Sequence, residues 1–151
     1  MQTVIAALDG ARLAHLAAHG HIRLDNPLFT SLQFADGPLT VYDVERLTQA
    51  PKIVVLAACD VGRSAVRPGD EIMGLSATFL ALGTLQVIAS VVPVPDPETA
   101  PLMIAFHQFL SRGESTASSL ALAQQQVSSR PAAMAAAAGF VSIGPATTLA
   151  P

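Results

Sequence analysis

Two residues whose types suit nucleophilic catalysis follow two separate apolar stretches of the sequence. His19 comes directly after the stretch 11–18, and Cys59, the single cysteine of the chain, ends the apolar run 52–59. A cysteine attacks through its thiolate, and a nearby imidazole stabilises the thiolate and later protonates the leaving group. The pair therefore has the composition of a thiol-dependent hydrolytic site.

Both residues are predicted to follow buried strands of one α/β sheet. The run 52–59 begins after Pro51, lacks polar alternation and is rich in β-branched residues, which is typical of a central strand covered on both faces. If the two strands are parallel neighbours, their carboxyl ends lie about 5 Å apart, within side-chain reach. The N–H groups of Gly20 and Cys59 would then suit an oxyanion hole. The alternative for Cys59 is a small buried side chain, because free cysteine is often buried.

The remaining histidines fit this site less well. His15 lies inside the first predicted strand, where a packed side chain is expected, and His21 falls in a predicted loop. His107 lies within an amphipathic helix, on its polar flank. His19 is therefore the histidine that the sequence favours as the partner of Cys59.

The intervening patterns predict a parallel strand, helix and strand unit. The run 52–59 is followed by a polar loop, by a helical apolar face over 71–82 and by a second buried strand over 86–92. Asp96-Pro97 fits an N-cap followed by proline at the first helical position. The other predicted elements are strands over 11–18, 31–34 and 140–143, a capping box formed by Thr40 and Asp43, and helices over 97–112 and 116–129, the latter capped by Ser115.

Composition narrows the class of protein. With 151 residues the chain is expected to form a single domain, 1–151, or part of one, and its 8 basic residues are scattered among 11 acidic ones, which argues against a nucleic-acid-binding patch. One cysteine and dispersed histidines predict neither a metal site nor a cofactor. The absence of an internal disulfide, a signal peptide and a long apolar run favours the cytoplasm, without excluding export.

A series of motifs in order resembles the CHAT family of caspase-like peptidases. The resemblance covers nearly the whole chain and rests on HLAAHG (15–20), PLFTSLQFADG (27–37), VVLAACDVG (54–62), GDEIMGL (69–75), FLALG (79–83), VIAS (87–90) and FVSIG (140–144). It implies a caspase-like three-layer α/β/α sandwich with a mostly parallel sheet. It also implies a cysteine endopeptidase in which His19 is the general base and acid and Cys59 is the nucleophile.

In related peptidases an acidic residue in the primary specificity pocket receives a basic substrate side chain. The resemblance implies Asp60, beside the nucleophile, or Asp96, after the strand that ends with Ser90, for this role, and these three are the expected substrate-binding residues. Asp96 has an alternative explanation in helix capping, and Asp60 has one as an ordinary loop carboxylate. Substrate preference, including cleavage after a basic residue, therefore stays open at this point.

The chain departs from the family in two respects. It has no tryptophan, and Val92-Pro93 occupies the place where the family usually carries one. The family also has two strands ahead of the histidine-bearing strand, for which residues 1–12 leave no room, so the sheet is expected to lack its first strands. We therefore expect an exposed edge that pairs with more of its own chain, with a helical-repeat partner or with a second copy.

Two other functions compete with the peptidase. One is a catalytically inactive scaffold or interaction module, which the missing tryptophan favours and the retained His19, Gly20 and Cys59 oppose. The other is a thiol amidase of another α/β family that acts on a small amide. We expect the reactivity of Cys59 to separate the peptidase from the scaffold.

Overall fold

A six-stranded sheet forms the centre of the computed structural model, which describes residues 2–21, 30–58, 70–92 and 94–149. The strand order across the sheet is β3-β2-β1-β4-β5-β6. The strands are β1 (Leu13–His21), β2 (Ser31–Phe34), β3 (Gly37–Thr40), β4 (Ile53–Ala58), β5 (Gln86–Ser90) and β6 (Phe140–Ile143). The helices are α1 (Gln2–Leu8), α2 (Val41–Val44), α3 (Asp70–Ala81), α4 (Asp96–Ser111), α5 (Thr116–Val127) and α6 (Pro131–Ala138).

The middle of the sheet is parallel, as the sequence predicted. Strand β4 pairs in parallel with β1 on one side and with β5 on the other. Strands β2 and β6 run in the opposite direction, and β3, antiparallel to β2, returns to the direction of the parallel strands. Four of these six strands therefore share one direction, and the mostly parallel α/β prediction is confirmed.

Helices cover both faces of this sheet and give it three layers. Side chains alternate along β4, so that Val54 and Leu56 enter one apolar core and Val55 enters the other. The first core also takes residues of α1, α2 and α3, and the second takes residues of α4, α5 and α6. Full burial of residues 53–56 explains why their sequence shows no polar alternation.

Three predicted helix ends have the structure that the sequence indicated. Thr40 and Asp43 complete a capping box at α2, with the Thr40 hydroxyl accepting from the Asp43 N–H and the Asp43 carboxylate accepting from the Thr40 N–H at 3.0 Å. The Ser115 hydroxyl accepts from the Ser118 N–H at the start of α5. Gly83 adopts a φ of 98° just after α3, which suits the predicted end of that helix.

Several boundaries differ from the prediction by one to three residues, and two of them bear on the site. Strand β1 continues through His21 instead of ending at residue 18, because its last residues pair with β2. The N-cap of α4 is Pro95 and not Asp96, so Asp96 is the first helical residue and its side chain makes no capping hydrogen bond. Proline fits either of the first two helical positions, which is why Pro97 did not fix the helix start.

Strand β1 is paired unevenly along its length. On the side away from β4, residues His19–His21 pair with β2, whereas among the described residues no strand pairs there with residues 13–18. The predicted open edge is therefore limited to part of β1, since β2 and β3 extend the sheet beyond it. No helix within the described ranges combines the length and the apolar character that crossing a bilayer requires.

Candidate active site

The position of His19 follows from the alternation of side chains along β1. Ala14 and Leu16 enter the core that contains α1 and α3. Residues of odd number point to the opposite face, where His15, Ala17 and His19 are exposed. His19 therefore lies on the face of the sheet that α4 covers, beyond Ala17 in the direction of the carboxyl end of the strand.

The register between β1 and β4 brings the residues that precede the two predicted catalytic residues to the same level of the sheet. Ala18 pairs with Ala58, and this is the last pair that the two strands form with each other. His19 and Cys59 are the next residues of the chain in each case. Cys59 itself, like the predicted substrate-binding residue Asp60, lies outside the described residues.

A cleft of about 660 Å³ opens on the same face of the sheet, between β1, β4 and α4. Its walls are largely apolar, and Ile104 on its rim is 60% exposed. Ala17 of β1 and Ala57 of β4 both line it. The other lining residues come from α4 and from one position of β1, and they are His15, Asp96, Thr99, Ala100, Met103, His107, Gln108 and Ser111.

Asp96 contributes the single carboxylate among the described residues that line this cleft. It is exposed, and its side chain makes no capping bond, whereas the Thr99 hydroxyl donates to the Pro95 carbonyl at 3.1 Å in the same turn. Glu98, two residues further on, forms an ion pair with Arg130 at 2.9 Å. The negative charge of Asp96 is thus available to a ligand, while that of Glu98 is already neutralised.

A pair of histidines lies at the other end of the cleft. The Nε2 atom of His107 and the Nδ1 atom of His15 are 2.9 Å apart and share a hydrogen bond, with the ring centroids 5.0 Å apart. Burial lowers the pKa of both imidazoles, and repulsion from His107 lowers the pKa of His15 further. Both rings are therefore held in the neutral form at neutral pH.

Two further predicted site residues have different surroundings. Ser90 is fully buried, and its hydroxyl donates to the carbonyl groups of Val92 and Gly139. Ser90 does not line the cleft. Gly20 lies within β1, opposite Leu32 of β2, and is half-buried.

The histidine pair is the part of this region that sequence reasoning missed. His15 was expected to be a packed side chain and His107 a surface residue, and the structure joins them instead. His21, expected in a loop, is the last residue of β1. The separation of His15 and His19 by four residues could have indicated that both lie on the same face of a strand, because side chains alternate between the two faces. No local pattern links either residue to His107.

The fold and this site define a three-layer α/β/α protein whose histidine-bearing strand lies beside a strand that leads into a cysteine. The chain matches the model of the CHAT domain over residues 1–145. It therefore belongs to the CHAT domain family, which is related to the caspase-like peptidases. No curated protein matches the chain.

Proposed function

We propose that this protein is a cysteine endopeptidase in which His19 and Cys59 form the catalytic dyad. The observation that carries the proposal is the parallel pairing of β1 with β4 up to Ala18 and Ala58. This pairing supports a dyad because each candidate follows directly in the chain. The exposed position of His19 supports it too, since a general base must reach the substrate.

The proposed reaction has two covalent steps. The Cys59 thiolate attacks the peptide carbonyl carbon and forms a C–S bond, and the C–N bond then breaks as protonated His19 gives its proton to the leaving amine. Water next attacks the thioester while His19 accepts its proton, which releases the carboxylic acid and restores the thiol. The N–H groups of Gly20 and Cys59 stabilise the negative charge that develops on the carbonyl oxygen in both steps.

We assign cleavage after a basic residue to this reaction, with Asp96 as the residue that binds the basic side chain. The support is the free carboxylate of Asp96 in the wall of the cleft and the absence of a capping role for it. Asp60 remains a second candidate for this contact. Ser90 is a weaker one, because its hydroxyl already donates to two carbonyl groups. Cys59 requires a reducing compartment such as the cytoplasm to persist as a thiol.

The experiment is a peptide-library digestion analysed by mass spectrometry. We expect the protein to cleave after Arg or Lys, and we expect both Cys59→Ser and His19→Ala to reduce cleavage by at least about 100-fold. His21→Ala is the matched control, because His21 also lies exposed on β1 and has no assigned role. Undiminished cleavage by purified Cys59→Ser would contradict the assignment of Cys59 as the nucleophile.

A protein-interaction module is the second candidate function. The stretch 13–18 of β1 has no strand beside it on one side within the described residues, and the apolar cleft lies next to it. These features suit a partner polypeptide, which would be more of the same chain, a helical-repeat protein or a second copy. Sedimentation of Ile104→Asp beside the wild type tests the second copy, since a dimer that uses the cleft would dissociate.

A further inference from the structure

The histidine pair at the end of the cleft holds two imidazole nitrogens at close range. The His15 and His107 nitrogens that face each other are 2.9 Å apart, and they come from different elements, β1 and α4. Zinc is bound by histidine nitrogen at about 2.0–2.1 Å, so two nitrogens of a tetrahedral site lie roughly 3.3 Å apart. Conversion of the hydrogen-bonded pair into a metal-binding pair would therefore require a separation larger by about 0.4 Å and a rotation of both rings that aims their lone pairs at one point.

The chemical state of the two rings also suits a metal ion. A histidine binds a metal through an unprotonated ring nitrogen, and the hydrogen bond between the two facing nitrogens requires one of them to be unprotonated. One facing nitrogen carries the proton of the present hydrogen bond, and on metal binding this proton would move to the other nitrogen of the same ring. Neither imidazole has to lose a proton to water.

The cleft supplies the remaining coordination positions. His15 keeps part of its ring exposed, and both histidines line the cleft. Asp96 is eleven residues from His107 on the same helix, about 16 Å along its axis, and so does not reach the pair. Among the described residues no third histidine, cysteine or carboxylate completes a ligand set. Water from the cleft would therefore fill the other positions.

We infer that His15 and His107 form a two-histidine binding site for a divalent transition-metal ion of the zinc class. Imidazole ligands select Zn²⁺, Ni²⁺ or Cu²⁺ over Mg²⁺, which prefers oxygen. With two protein ligands the site has modest affinity. This inference is independent of the peptidase activity, because it involves neither His19 nor Cys59.

The test is calorimetric titration of the full chain with ZnCl₂, in a Cys59→Ser background that removes the thiolate as a competing ligand. We expect one Zn²⁺ to bind per chain, and His15→Ala and His107→Ala each to weaken binding by about tenfold or more. His21→Ala is the matched control and should bind as before, and MgCl₂ should give no binding heat. The visible absorption spectrum of bound Co²⁺ provides a second readout of nitrogen ligation.

Three outcomes would overturn the inference. One is undiminished Zn²⁺ binding in both single variants, and another is equal loss in His21→Ala. The third is Zn²⁺ binding that is present in the wild type and absent in Cys59→Ser, which would show that the Cys59 thiolate binds the metal. His107→Gln keeps a hydrogen-bonding side chain of similar length and replaces His107→Ala if the alanine variant fails to fold. Its expected affinity loss is the same.

Discussion

Ala18 and Ala58 form the last pair between the two neighbouring parallel strands β1 and β4. Because parallel strands run toward the same edge of a sheet, this pair marks the level at which the parallel ladder between β1 and β4 ends. Strand β1 continues beyond it through His21, and His19 is the first residue of that extension.

We predict that His19 raises the reactivity of the Cys59 thiol at mildly acidic pH. An adjacent imidazolium stabilises the thiolate and lowers its pKa, so the wild type should react with iodoacetamide at pH 6 at least about tenfold faster than His19→Ala. The measurement is the alkylation rate as a function of pH. Equal rates for the two proteins across this range would remove the physical basis of the dyad, whereas His21→Ala should leave the rate unchanged.

Asp96→Asn should reduce selectivity for basic substrates. Loss of the carboxylate removes the charge that we assign to the substrate side chain, so kcat/KM for an Arg-containing peptide should fall by about tenfold or more, as expected for a charged hydrogen bond. A peptide with a neutral residue at that position should be cleaved as before. The measurement is a pair of steady-state assays on the two peptides.

Glu98→Gln is the matched control for this change. Glu98 lies in the same turn of α4 and loses the same charge, but its carboxylate is bound to Arg130. Its substitution should leave the ratio of the two kcat/KM values unaltered. A similar loss of selectivity in both variants would indicate a general electrostatic effect and would contradict a specific role for Asp96.

The His15–His107 pair predicts that stability falls on acidification. Folding lowers both pKa values below the ordinary value of 6.5, so the unfolded chain binds more protons in this range. The stabilisation is fully present above pH 6.5 and is lost as the pH falls through the folded-state values. We expect Tm to decrease from pH 7.5 to pH 5 in the presence of a chelator, when measured by calorimetry.

The matched variant for the pH effect is a protein without either imidazole. His15→Gln combined with His107→Gln should show a smaller decrease in Tm over the same interval, and the difference between the two proteins isolates the pair from the carboxylates. A decrease of the same size in both proteins would contradict the prediction. His21→Gln should behave like the wild type.

Gly144→Ala should destabilise the protein more than Gly113→Ala. Both glycines have positive φ, 107° and 91°, which disfavours a side chain in either case. A Cβ atom at Gly144 would also overlap the Leu85 carbonyl oxygen, whereas one at Gly113 would meet nothing within 4 Å. We expect a loss of more than about 2 kcal/mol at Gly144 and of about 1 kcal/mol at Gly113 in denaturant unfolding.

Local sequence patterns were sufficient to predict the strand that precedes the proposed nucleophile and two of the helix caps. The buried run of β4, the capping box at Thr40 and the cap at Ser115 are each decided within a few residues, and each is formed. The neighbourhood of β1 and β4 was predicted because adjacent parallel strands explain how His19 and Cys59 could act together. This part of the fold could be predicted because the local sequence patterns agree with the strand pairing of the whole sheet.

Other features depend on contacts that no local pattern contains. The extension of β1 to His21 results from pairing with β2, and the cleft results from packing of α4 beside β1. The shift of the α4 start by one residue followed from the equal fit of Pro97 to two positions. Helix α6 is alanine-rich and lacks an amphipathic period, so its sequence gave little indication of a buried face.

Strand β3 is at one edge of the sheet and contains Pro38 at an exposed position. Proline has no N–H group to offer to an incoming strand, so this edge is a poor template for assembly into fibrils. The opposite edge strand, β6 (Phe140–Ile143), contains no proline. Aggregation of partly unfolded protein at high concentration would therefore be expected to start from β6, and a proline or lysine introduced there would slow it.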